Sequence, residues 1–476
     1  MELLDSLTMH FIPFQLPEGI DGCKQIGQSD LWQHQDISIA NNVLYTHVAH
    51  FLGSKTPDDA IRNGCIIYAF APKTKTPLSS LFNNKECCID IPDASGVTQG
   101  FSFKFCNDKQ LNAPKIILYP QASIGILSFG VELQGNPTPD DLMTFNYALH
   151  KTDHKQAPLI RIPFDESKWK PKNEGDIHPA RQIYQTIHDD SNAMADGYYL
   201  YQLRNLLLSD LQLTESNFVN ADRTHIFSYV QIDRFDDPLA FKQTFIRILR
   251  AQNQKYMVSA HELESGIFTQ TFENIYIGSC VEGGVIAILA PGNAPEHLHN
   301  FKKGTLLPRY LWIYLLVLIQ RHTLLSITAK LTIPNVSDKL SLFVEQLSQM
   351  KINTYFTDIS DYTQHNAFYK LCGNNLSIRA YLDSVSDKLT DLTSILDRRR
   401  EEEENRNSKK LERNLALLAA AQIYFLSITF FGINTGFNWA TNRWVQIALS
   451  VLTAYFIYEA GKICYTILWK LNRHKK

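Results

Sequence analysis

The side chains best suited to contact an ion lie in an uncharged stretch near the C-terminus, residues 415–433. At helical spacing, Leu418, Gln422, Phe425 and Thr429 fall on one face, and two of these four carry neutral polar groups. A small divalent cation gives up its water reluctantly, so neutral oxygens that contact the hydrated ion let it pass without trapping it. This face is the predicted lining of an ion pathway.

The uncharged stretch leads directly into Gly432, Ile433 and Asn434, which precede a short loop. Gly432 allows a helix to end and turn. The Asn434 amide carries a neutral oxygen of the kind that can contact a hydrated ion. The alternative is that Gln422 and Thr429 bond neighbouring helices and that Gly432 and Asn434 form a plain helix C-cap.

A run of acidic residues precedes the uncharged stretch. It consists of Glu401, Glu402, Glu403 and Glu404. In a multimer these carboxylates would form rings that concentrate cations below a pore. The alternative is a solvated helix face on which Arg398 and Arg399 pair with glutamates three and four residues later.

Other residues whose spacing could suit a metal site or a catalytic site give weaker evidence of function. The pairs His47/His50 and His297/His299 have chelating intervals but lack a nearby pattern of cysteine or glutamate, so ordinary histidines are expected. We find no Ser/His/Asp or Cys/His order that would indicate an enzyme. The eight cysteines show no CxxC spacing, which predicts reduced thiols in a cytosolic domain.

Composition narrows the class of protein. The chain has 476 residues, 46 Lys+Arg, 48 Asp+Glu and a net charge of -2. Hydrophobic residues make up 45% of it, which supports a sizeable core. The balanced charge argues against a broadly basic nucleic-acid binder, so no nucleic-acid partner is expected.

The sequence predicts three regions, whose helices and strands must position these residues. Residues 1–304 have the pattern of an α+β cytosolic domain, because strand-like and helical runs do not alternate strictly. Residues 305–413 are predicted to be helical and to end in a long stalk helix without Pro or Gly from Ser377 to Arg413. The uncharged run Tyr310–Ile319 is too short to cross a bilayer and is predicted to be a buried helix.

Residues 414–476 form the predicted transmembrane domain. Two spans are expected at about 415–433 and 444–464, joined by an outer loop at 434–443. Basic residues precede the first span and follow the second, whereas the loop has only Arg443. The positive-inside rule therefore predicts a protein of the cell (inner) membrane with both termini in the cytoplasm and the lipid bilayer as a partner.

The end of the first span resembles the CorA family of two-span divalent-cation transporters, whose signature is an aromatic residue followed by Gly-Met-Asn. Phe431, Gly432 and Asn434 match this signature, and Ile433 replaces the methionine. The charged helix before the motif, the short loop after it and the basic tail follow the same order. The resemblance implies a homopentamer in which five copies of Asn434 form a ring at the outer mouth of a pore. It also implies Mg²⁺ as the transported or regulatory ion and a cytosolic domain that gates the pore.

Two further hypotheses remain open. The loop Asn434–Trp444 has no acidic residue to gather cations, unlike many loops of that family. The chain is also similar to a CorA-like subgroup linked to CRISPR immunity, which implies a signal-gated antiviral effector that responds to a nucleotide messenger made from S-adenosylmethionine. The third hypothesis is a membrane-anchored scaffold that conducts nothing.

Overall fold

The computed structural model divides the chain into two compact units, Met1–Thr390 and Asp391–Lys476. It describes residues 2–435, apart from gaps, together with the isolated positions Val451, Ala454, Tyr455, Tyr458 and Lys462. The gaps are residues 18–20, 37–43, 54–55, 57–59, 61–63, 75, 84, 93–97, 109–110, 153–155, 164–176, 189–195, 220–221, 236, 303–305 and 332–339. For residues 424–435 only the helical backbone is described. The predicted second span at 444–464 lies outside the described residues except at the five isolated positions, and so does the loop at 434–443 beyond its first two residues.

One sheet contains twelve strands within the described residues. They are β1 (Leu3–Gln15), β2 (Trp32–His34), β3 (Ile66–Phe70), β4 (Glu86–Pro92), β5 (Thr98–Phe105), β6 (Lys115–Tyr119), β7 (Ile124–Leu133), β8 (Ile160–Arg161), β9 (His225–Ile232), β10 (Phe268–Phe272), β11 (Ile275–Ser279) and β12 (Gly283–Leu289).

Thirteen α-helices are described. They are α1 (Gly22–Gln28), α2 (Thr46–Leu52), α3 (Pro77–Phe82), α4 (Pro139–Leu149), α5 (Pro179–His188), α6 (Leu200–Leu207), α7 (Pro238–Leu249), α8 (Ala260–Glu264), α9 (Glu296–His299), α10 (Leu306–Leu331), α11 (Leu340–Asn353), α12 (Thr363–Asn375) and α13 (Ile378–Thr435).

The sheet is built outward from β1. Its main path runs β10-β11-β12-β9-β1-β7-β5-β4-β8, and β6, β3 and β2 continue from β7 along a second branch. The branch arises because β7 is long: its first half pairs with β6 and its end pairs with β5, while β1 lies along its other edge. The pair β9 and β12 is parallel, and the remaining ladders are antiparallel.

Strand β1 is buried on both faces. Leu7, Met9 and Phe11 alternate with Thr8 and His10, and all five side chains are buried. Successive strand residues point to opposite faces, so one face of β1 is apolar and the other polar. The Thr8 hydroxyl donates to Oδ1 of Asn146 on α4 (2.9 Å), which satisfies that polar group inside the core. The sequence analysis did not identify this central strand.

Helix α10 lies against the sheet and against α12. The Tyr314 ring contacts Phe11 of β1 and Phe227 of β9, with ring centroids 5.8 Å and 5.1 Å apart. Within the described residues, α10 is the helix long and apolar enough to cross a membrane, and 89% of its most apolar window is buried in this unit. The prediction that Tyr310–Ile319 belongs to a buried helix is confirmed.

The α+β class of the N-terminal region and the long C-terminal helix are both confirmed. The mainly apolar runs Lys115–Tyr119, Ile124–Leu133 and His225–Ile232 each predict a strand, and strands β6, β7 and β9 have these bounds. The sequence Thr138-Pro139-Asp140-Asp141 predicts a helix start, and helix α4 begins there, where the Thr138 and Asp141 side chains each bond the other residue's backbone N–H. Helix α13 has 58 residues, because no Pro or Gly interrupts it before Gly432.

Candidate ion pathway on helix α13

The first turns of α13 are anchored in the N-terminal unit. Ile378, Leu382, Val385 and Leu389 are buried at three- and four-residue spacing, which is the apolar stripe of a packed helix. Just before the helix, the Leu376 carbonyl accepts a hydrogen bond from Nη1 of Arg321 on α10 (2.7 Å). The start of α13 is therefore fixed by both apolar burial and a buried guanidinium.

The acidic run is fully hydrated in the single chain. Glu401–Glu404 are all exposed. Nε of Arg398 lies 3.5 Å from Oε1 of Glu402, an i,i+4 ion pair between exposed side chains. This pair is the one expected for a solvated helix face, and an exposed pair of this kind contributes only about 0.3–0.5 kcal/mol. The carboxylates are thus positioned by the helix alone and remain accessible to cations.

Beyond the acidic run, the surface of α13 becomes apolar at residues 415–423, with Gln422 as the exception. Leu415, Leu417, Leu418 and Ile423 are 57%, 44%, 43% and 66% exposed. Of residues 415–423, Ala421 is the one buried position. A helix with apolar residues around its whole circumference is stable in lipid or against other helices, because water around it carries a large hydrophobic cost. This segment coincides with the first half of the predicted first span.

The predicted pathway residues all lie on α13. Leu418 and Gln422 are exposed at successive turns of the helix. The backbone of Phe425, Thr429, Gly432, Ile433 and Asn434 is helical, and their side chains lie outside the described residues. At about 100° per residue, the positions of Leu418, Gln422, Phe425 and Thr429 fall within an arc of about 60°. The predicted stripe therefore shares one face of an unbroken helix.

Gly432 permits the helix to end, but it does not end it in the single chain. Helix α13 continues through Gly432 and Ile433 to Thr435. A glycine inside a helix costs about 1 kcal/mol relative to alanine, which a helix of this length tolerates. On this register Asn434 lies about 160° around the helix from Leu418, whereas Gly432 lies about 40° from it. Asn434 and the polar stripe do not share a face along this straight helix.

The histidine pairs occupy ordinary positions. The His47 ring stacks on Tyr45 and contacts Phe356, with centroids 5.8 Å and 5.1 Å apart. His297 and His299 lie on the exposed, four-residue helix α9. In the part of the chain that the structure describes, no three His, Cys, Asp or Glu side chains gather where they could hold a metal ion.

The sequence analysis missed a set of buried ionisable groups around α10 and β1. Burial lowers the pKa of His10 to about 3 and the pKa of His225 to about 4, because the charged imidazolium loses its hydration. His225 and His322 face each other with ring centroids 5.2 Å apart, and burial also lowers the pKa of His322. These histidines are neutral in the folded protein. In β1, His10 alternates with apolar neighbours, a pattern that is also typical of a strand with one solvent-facing side, so it did not reveal the burial.

We compared the chain with protein-family models, with curated proteins and with solved structures, and none of the three comparisons gave a match.

Proposed function

We propose that this chain is one subunit of a homo-oligomeric membrane channel that conducts divalent cations, with Mg²⁺ as the principal ion and the N-terminal unit as its gate. The observation that carries the proposal is the surface of α13, which changes from fully charged at Glu401–Glu404 to apolar at residues 415–423, with Gln422 as the exception. Such a change along one helix is the surface expected where a helix passes from water into a bilayer.

Assembly follows from the small number of spans. A two-span subunit cannot enclose a pore, so several copies must surround one axis, and the CorA resemblance implies five. In such an assembly the stripe of Leu418, Gln422, Phe425 and Thr429 lines the pathway, and Glu401–Glu404 form rings at its cytoplasmic entrance. The exposed glutamates of the single chain support this arrangement because burial within the subunit does not occupy them.

Asn434 can contribute to the pathway only if the helix changes its conformation when the channel assembles. On the straight helix Asn434 faces away from the stripe by about 160°. It joins the same axis only when the helix ends or turns at Gly432, a residue whose missing Cβ permits that turn. We propose that Gly432 takes this conformation in the assembled channel, so that Asn434 and the Ile433 backbone form the outer mouth.

The decisive experiment is divalent-cation flux into proteoliposomes that contain the full-length protein. Wild-type protein should admit Mg²⁺, and Asn434→Ala should reduce the flux at least tenfold at matched protein amounts, because it removes a ring of amide oxygens. Gln422→Leu should reduce it less, since it removes one polar layer among several. The matched control is Asn442→Ala, which removes the same chemical group from the adjoining loop.

The outcomes separate the parts of the proposal. Absence of flux through the wild-type protein would refute the channel. Flux that is lost in Gln422→Leu but not in Asn434→Ala would leave the channel in place and assign the pathway to the straight helix alone. Equal melting temperatures for the two variants are required, because a C-cap role for Asn434 instead predicts a stability loss of about 1 kcal/mol with unchanged flux.

A second candidate function is supported by the loop after the first span. Residues 434–444 contain no acidic residue, so the outer mouth gathers cations weakly and a cytosolic signal would control the flux. Flux measured with and without nucleotides, including those derived from S-adenosylmethionine, distinguishes the two functions. Flux only in the presence of a nucleotide would establish a signal-gated effector, whereas absence of flux under both conditions would favour a membrane-anchored scaffold.

A further inference from the structure

A small cavity separates α10 from the sheet. The space in it that a water-sized sphere can occupy is about 20 Å³. Phe11 of β1, Ile117 of β6 and Trp312 and Leu315 of α10 are among its apolar lining residues, and Lys115 and Ser128 supply its polar groups. No acidic side chain lines it among the described residues. The cavity is therefore apolar with one cationic wall.

Lys115 occupies an unusual position for a lysine. It is the first residue of β6 and lies opposite Ser128 of β7, which in turn lies opposite Phe11 of β1. Directly opposed residues share a face of the sheet, so this row lies beneath α10. Lys115 is only 3% exposed, and its Nζ has no hydrogen-bond partner among the described residues. A buried lysine is almost always paired, because an unpaired ammonium loses its hydration without compensation.

The charge of Lys115 is incompletely balanced by the protein. Burial lowers its pKa to about 8, and the nearby Asp108 carboxylate opposes this effect. At neutral pH the ammonium form still predominates. Asp108 does not line the cavity, and its Oδ1 accepts a hydrogen bond from the backbone N–H of Leu111 (3.3 Å). Within the described part of the chain, the cavity itself therefore lacks a negative charge that would balance the Lys115 ammonium.

The size of the cavity limits which anion can supply this negative charge. A cavity of about 20 Å³ admits one or a few heavy atoms, since one water molecule needs about 10–15 Å³. Nucleotides and long-chain acids are excluded by this limit. Halides and the shortest carboxylates are small enough to fit it.

We propose that this cavity binds a small monovalent anion, either chloride or a carboxylate no larger than acetate, between the Lys115 ammonium and the Ser128 hydroxyl. The bound anion fastens α10 to the sheet, because its partners lie on β6 and β7 while its apolar contacts come from α10. Since α10 also holds the start of α13 through Arg321, the anion strengthens the support of that helix. This site is independent of ion conduction by α13.

The test uses the full-length protein in detergent, transferred to a buffer whose only anion is a bulky sulfonate. Chloride, bromide, acetate and gluconate are added separately, and the melting temperature is recorded by calorimetry. Chloride or acetate should raise it saturably by several degrees, as a ligand of the native state does. Gluconate should not, because it is too large for the cavity. The anion that saturates at the lower concentration is the better ligand.

Variants locate the effect. Lys115→Met should abolish the saturable rise, and Ser128→Ala should increase the half-saturating concentration several-fold. Lys255→Met, which removes an exposed lysine, should respond like the wild type. In crystals grown with bromide, an anomalous peak should lie beside Nζ of Lys115, a result that does not depend on the folding of any variant. An equal salt response in all four proteins, or a water molecule in place of bromide, would refute the proposal.

Discussion

Replacing Lys115 with methionine should stabilise the N-terminal unit in a buffer that lacks small anions. One pKa unit corresponds to about 1.4 kcal/mol, so lowering the lysine pKa from 10.5 to about 8 destabilises the fold by about 3 kcal/mol while the ammonium is charged. Methionine has a similar length and no charge, so it removes this cost without opening a large cavity. At pH 7 the melting temperature of Lys115→Met should exceed that of the wild type by about 5 °C.

The lowered pKa of Lys115 determines how the difference in stability between the two proteins changes with pH. Below pH 8 the lysine is protonated in the folded and unfolded chains, and the full cost is present. Between about pH 8 and 10.5 the unfolded chain binds the proton and the folded chain does not, so the wild type gains stability as pH rises. The advantage of Lys115→Met should therefore shrink over this interval. The other residues that line the cavity carry no charge, so they do not alter the trend.

The assay is differential calorimetry of both proteins from pH 7 to pH 10, with Lys255→Met as the control. A wild type more stable than Lys115→Met at pH 7 would refute the account of an unbalanced buried charge. So would a difference between them that does not change with pH. Repeating the pH 7 measurement in saturating chloride should narrow the gap, because the proposed anion stabilises only the protein that retains the ammonium.

Three further predictions concern α13 and the membrane. In proteoliposomes, changing all of Glu401–Glu404 to glutamine should lower Mg²⁺ flux several-fold at low ionic strength and have little effect near 1 M salt, where the screening length is about 3 Å; equal flux at low salt would exclude the acidic rings. A cysteine at Thr441 should react with a membrane-impermeant reagent from outside the cell, and labelling only from inside would contradict the predicted topology. Val385→Ala should destabilise the N-terminal unit by about 2 kcal/mol, whereas the exposed Asp387→Ala should leave its melting temperature unchanged.

Local patterns predict the strands whose runs are mainly apolar better than the strand whose buried residues are partly polar. The mainly apolar runs of β6, β7 and β9 and the capping signal at Thr138 give correct bounds because burial and capping act over a few residues. Strand β1 was missed although Leu7, Met9 and Phe11 alternate with polar residues. Its polar face is buried against Asn146 of α4, so the polarity that usually marks a solvent-facing side lies inside.

The candidate site was predictable in part. The placement of the stripe from Leu418 to Thr429 on one face follows from helical periodicity, and the structure retains it. Whether the helix ends at Gly432 or continues through it could not be predicted, because a glycine permits a turn without requiring it. Lys115 gave no signal at all: its neighbours form the apolar run Ile116–Tyr119, and only the pairing of β6 with β7 beneath α10 reveals that its amine is enclosed. The conducted ion and the pentamer stay predictions.

The central place of β1 has a consequence for synthesis. Its two neighbours are β7 and β9, so β1 leaves the ribosome before either of them. One edge of β1 has no partner until residues 124–133 follow, and the other stays unpaired until residues 225–232 are made. At 5–20 residues per second, that second wait lasts roughly 10–45 s. During this time a strand of thirteen residues with exposed apolar groups is open to mispairing. We therefore expect the nascent chain to depend on chaperones early, and fusions or truncations at the N-terminus to disrupt the sheet at its centre.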